Sequence, residues 1–129
     1  MQNNPAQVRT AQTMILVAFA TLPLLLYFFI GKSMPAGEGG SQVVAIAFAA
    51  TGLCSALYMV MNRLGPDQSV AKFQQNMVAT LAMGELCSLM GIFLGVPAGL
   101  SALPFLVLNY VVIVCVFLRM STFWANQPR

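Results

Sequence analysis

The chain has 129 residues, of which six are Lys or Arg, three are Asp or Glu and none is His. Hydrophobic residues make up 59%, charged residues 7%, and the mean hydropathy is +0.82. A water-soluble domain is about a quarter charged, and a disordered chain combines high charge with low hydrophobicity. Both classes are excluded, which leaves an all-α polytopic membrane protein.

A membrane helix needs about 20 apolar residues, and the chain has room for four. Met1 to Gln12 is polar and reads as a short tail. The first span covers about residues 13–30, with Pro23 in its middle as a kink. Gly31 to Gln42 is a loop, because five of its residues are Gly or Pro. The second span covers about residues 43–61, and Gly65-Pro66-Asp67 supplies turn chemistry after it. From Lys72 to Leu118 the apolar sequence is too long for one helix. Gly and Pro between Gly95 and Pro104 divide it into spans of about 73–94 and 102–118, closed by Arg119. The chain is thus expected to form one membrane domain.

Four spans place both termini and the middle loop on the same side. Five basic residues, Arg9, Arg63, Lys72, Arg119 and Arg129, fall on that side, against Lys32 alone on the other. Cytoplasmic segments carry the excess of Lys and Arg, so both termini are expected to be cytoplasmic, in a bacterial inner membrane. Scattered basic residues of this kind form no patch for nucleic acid. The cysteines, Cys54, Cys87 and Cys115, lie in three different apolar stretches with no C-x-x-C spacing, so no metal site or cofactor is expected. With no histidine, ordinary haem ligation and histidine-based catalysis are excluded as well.

Two of the three acids, Glu38 and Asp67, fall in loops. Glu85 falls near the centre of the third span. An ionised carboxylate there costs about 3 kcal/mol on insertion scales, so a protonated, neutral Glu85 is the expected resting state. It handles a proton or cation, or hydrogen-bonds a neighbouring helix and holds the bundle together, or forms a salt bridge with a partner chain. Asn109, midway along the fourth span, is its best internal polar partner. Small residues form a second pattern: Thr80, Gly84, Ser88, Gly91 and Gly95 on the third span, and Ala45, Ala49, Gly52 and Ala56 on the second. Small faces let helices approach closely in lipid, so spans two and three are expected to form a tight hairpin. Glu85 is expected at the hairpin's edge, facing a neighbour.

The segment Leu81-Ala82-Met83-Gly84-Glu85, followed by Gly91, resembles the outer helix of the rotor-ring (c) subunit of F-type ATP synthases. The preceding turn, Asn62-Arg63-Leu64-Gly65-Pro66-Asp67, is similar to that family's polar loop. The resemblance covers Val43 to Gly95, and the first and fourth spans have no counterpart in a two-helix ring subunit. It implies a cytoplasmic loop and Glu85 as the proton-carrying carboxylate. Leu86, where a sodium-binding member has Ser or Thr, implies no sodium site. Small multidrug resistance transporters have four helices and a membrane glutamate too, but theirs lies in helix one.

The expected function is a non-enzymatic, oligomer-forming membrane subunit with a rotor-ring-like hairpin and a protonatable Glu85. Its partners would be membrane lipid and copies of itself or other membrane subunits. The alternatives are a structural or accessory subunit of a larger membrane complex and a small proton-coupled exporter. No nucleophile–base pair, metal ligand set or nucleotide loop suggests an enzyme.

Overall fold

The computed structural model describes residues 5–31 and 41–126. Lys32, Glu38 and Arg129, which enter the charge pattern above, lie outside the described residues. The described chain is all helical: α1 (Pro5–Leu26) widening into a π-helical turn (Tyr27–Gly31), α2 (Gln42–Asn62), α3 (Val70–Met90) widening into a second π turn (Gly91–Gly95), and α4 (Leu103–Ala125). All four helices are long and apolar enough to cross a membrane.

Local chemistry sets most of the helix ends. Ser41 caps α2 by accepting a hydrogen bond from the Val44 amide at 3.3 Å, and Ser69 caps α3 through the Lys72 amide at 3.2 Å. Each cap satisfies one of the amides that a helix start leaves without a partner. After Gly95, the Leu100 amide donates to the Gly95 carbonyl at 2.8 Å and the Gly99 amide to the Val96 carbonyl at 3.0 Å. This is the paired closure of a Schellman motif, and Gly99 takes the left-handed position at φ 94°. Pro104 then sits in the first turn of α4, where its missing N–H leaves nothing unmade.

Two helix ends differ from the hydropathy expectation. Residues from Pro5 onward belong to α1, so most of the polar N-terminal segment is helical and not a tail. At the other end α4 continues past Arg119 to Ala125. The reason is shared: the two extensions pack on each other. The Trp124 indole N–H donates to Gln12 Oε1 at 2.9 Å, and Gln12 is fully buried. Phe123 stacks on Phe73 of α3 with ring centroids 4.1 Å apart.

The helices alternate in direction, as short connections require. α2 and α3 form the most extensive pair. Gln42 Nε2 ties the start of α2 to the Ala98 carbonyl beyond α3 at 2.9 Å. At the other end of the hairpin, Asn76 Nδ2 donates to the Arg63 carbonyl at 3.0 Å. α3 also packs on α1 and α4, so it is the central helix and the most enclosed of the four. One large apolar cluster, including Leu64, Phe73, Met77, Leu81, Val116 and Phe123, fills the end of the bundle that holds Gln12 and Trp124. A smaller one, Ile92, Val96, Ala102 and Leu106, fills the opposite end. The outward faces are apolar too, with Val17, Leu25, Phe29, Ile46, Val111 and Leu118 all exposed.

Candidate functional site

Glu85 lies on α3 between the two apolar clusters, and only 4% of its surface is exposed. Asn109 of α4 meets it: Asn109 Nδ2 donates to Glu85 Oε2 at 3.1 Å. The neighbour that it faces from the α2–α3 hairpin is α4 of the same chain.

The small residues explain how α4 comes so close. A Cβ at Gly84 would lie 2.9 Å from Val112 Cγ1 and 3.0 Å from Asn109 Oδ1. At Gly91 it would lie 2.2 Å from Phe105 Cγ. Gly84 and Gly91 therefore form the groove into which Asn109, Val112 and Phe105 of α4 fit. Gly95 faces Phe105 and Leu100 more loosely, with the nearest atom at 3.3 Å. Gly52 serves the other interface: its Cβ would meet the Met83 carbonyl oxygen at 3.0 Å, so the α2 and α3 backbones are in close approach there. Thr80, Gly84, Ser88, Gly91 and Gly95 are all buried on the α3 side, and so are Ala45, Ala49, Gly52 and Ala56 on α2. The two small-residue faces are thus not simply each other's partners. Gly52 packs on α3, whereas Gly84 and Gly91 pack on α4, because their missing side chains make room for an amide, a branched side chain and an aromatic ring.

Hydrogen bonding in this region is incomplete. Glu85 Oε1, Asn109 Oδ1 and the Ser88 hydroxyl are buried without a partner. Thr80, also buried, donates to the Asn76 carbonyl at 2.6 Å within its own helix. Among the described residues no group of three or more His, Cys, Asp or Glu side chains converges in a way that would hold a metal ion.

Sequence reasoning missed two polar contacts. Tyr110, next to Asn109, donates its hydroxyl to the Ala20 carbonyl of α1, three residues before Pro23. Pro23 deprives the Phe19 carbonyl, four residues earlier, of its amide donor, so the Tyr110 bond falls one residue away from the carbonyl that the proline orphans. No pattern in the sequence pairs Tyr110 with Ala20, 90 positions away. The second contact is Gln12–Trp124. Gln12 borders the first apolar run, and no pattern in the sequence pairs it with Trp124, 112 positions away. Comparison with protein-family models, with curated proteins and with solved structures gives no match.

Proposed function

We propose that this chain is a small integral membrane protein with four spans and both termini cytoplasmic in a bacterial inner membrane. It works as a non-enzymatic accessory subunit of a membrane assembly, and Glu85 is a protonatable carboxylate that joins α3 to α4. The observation that carries this reading is the burial of Glu85 against Asn109 in the interior of the bundle. A carboxylate inside a membrane helix is costly and marks function by default. Arg9, Arg63, Lys72 and Arg119 all belong to the end of the bundle that holds Gln12 and Trp124, which supports the cytoplasmic orientation.

The same geometry weighs against a rotor-like ring. Identical copies packing through Gly84 and Gly91 would need that face open, and α4 occupies it. Contacts with other subunits are left to the exposed apolar faces of α1, α2 and α4.

Two measurements test the proposal. The protein is extracted in lipid particles and its native mass determined; a defined complex with different chains is expected, and a closed ring of identical copies would refute the accessory role. Membranes are also treated with a hydrophobic carbodiimide, which reacts with protonated carboxyls. Labelling that disappears in Glu85→Gln is expected. Labelling that persists in Glu85→Gln, or its absence from the wild type even after the bundle is loosened by detergent, would refute a protonatable Glu85.

A further inference from the structure

We infer that the folded bundle holds Glu85 as its neutral acid, with the proton on Oε1 and donated to Asn109 Oδ1. This rests on the reading of Glu85 as a protonatable carboxylate and adds where the proton sits and what holds it. One bond of the pair is direct: Asn109 Nδ2 donates to Glu85 Oε2 at 3.1 Å. The other two atoms of the same planar groups, Glu85 Oε1 and Asn109 Oδ1, are both buried and both without a partner. If Glu85 were ionised, both would be acceptors facing no donor, the costliest arrangement for buried polar groups. One proton satisfies both and closes an acid–amide ring with two parallel hydrogen bonds.

Among the described residues, the surroundings supply no other donor or counter-charge. The Ser88 hydroxyl is itself without a partner, so it does not bond Glu85. On α4, Tyr110 beside Asn109 is an uncharged phenol whose hydroxyl is committed to the Ala20 carbonyl. On α3, Cys87 is a buried free cysteine, and Lys72 lies in the first turn, more than three turns from Glu85. α2 carries no charged residue, and its Cys54 and Tyr58 are exposed. α1 has Arg9, which lies at the Trp124 end of the bundle, lining a surface groove with it. Nor has the amide room to turn away: Asn109 Oδ1 already lies against Gly84, with Val112 beside it. Asn109 is therefore a positioning residue that locks the proton in place.

Infrared difference spectroscopy on the full chain in lipid tests this. A carbonyl band of a protonated carboxyl, absent in Glu85→Gln, is expected. In Asn109→Leu that band should move to higher frequency, because it loses both hydrogen bonds. In the wild type it should shift only slowly on transfer to deuterated water, a readout that needs no variant to fold. A carboxylate band for Glu85 in place of the acid band would overturn both the inference and the protonatable reading. An acid band that is unmoved by Asn109→Leu, or that exchanges at once in the wild type, would overturn the acid–amide lock alone.

Discussion

Replacing Gly91 with alanine separates backbone preference from tertiary packing. Gly91 sits at φ −62° and ψ −40°, ordinary right-handed helical values that any residue adopts. On helix propensity alone, Gly91→Ala should stabilise by about 0.5–1 kcal/mol. The contact with α4 says the opposite. The new Cβ would lie 2.2 Å from Phe105 Cγ and 2.5 Å from Phe105 Cβ. The ring could swing aside, but Phe105 Cβ is fixed to the α4 backbone. Carbon atoms pack at about 3.5–4.0 Å, so α4 must retreat by roughly 1 Å. Overpacking of this kind costs about 1–3 kcal/mol, and a backbone shift belongs at the upper end. After the propensity gain is subtracted, the net loss is about 2 kcal/mol, roughly a thirtyfold change in the folding equilibrium. The chain's only tryptophan, Trp124, reports unfolding by fluorescence as the denaturing detergent fraction is raised in mixed micelles. Gly84→Ala, with contacts at 2.9 and 3.0 Å, should lose less, and Gly95→Ala, at 3.3 Å, less again. Gly65→Ala is the control: nothing lies within 4 Å and its φ is not positive, so it should be neutral or slightly stabilising. If Gly91→Ala proves as stable as Gly65→Ala, α4 does not seat on Gly91 and the inward position of Glu85 loses its structural basis.

Three further outcomes are expected. Trp124→Phe leaves the fully buried Gln12 with no partner and should cost about 1–3 kcal/mol; adding Gln12→Leu should recover part of that loss, a coupling that a double-mutant cycle in the same unfolding assay measures. Phe123→Ala removes a fully buried ring stacked on Phe73 and should cost about 3–5 kcal/mol, seen as a lower unfolding midpoint with an unchanged helical circular dichroism spectrum below it. For topology, each native cysteine is changed to alanine and single cysteines are placed at the exposed Ser101 or at Asn126. In intact cells a membrane-impermeant thiol reagent should label the first and spare the second; the reverse pattern would refute cytoplasmic termini.

The positions of the four spans are legible in the sequence because hydropathy and length are local quantities. Ser41, Ser69, Gly99 and Pro104 mark helix ends by chemistry that operates within a few residues. Glu85 stands out for the same reason: a lone acid in an apolar run is visible without knowing what surrounds it. The outer limits of α1 and α4 are less legible. Hydropathy ends them at Thr13 and Leu118, but polar and aromatic residues beyond those points become helical because Gln12 meets Trp124 and Phe123 meets Phe73.

The sequence by itself determined four apolar helices, an excess of basic residues at one end of the set and a single carboxylate in the middle of the third helix. Only the tertiary structure decided which helix each small face receives and which way Glu85 points. A glycine states that something approaches closely, not what approaches. Gly52 takes the α3 backbone, while Gly84 and Gly91 take Asn109 and Phe105 of α4. That choice depends on how four helices share space around α3, a property of the whole bundle, and it sets the carboxylate against Asn109.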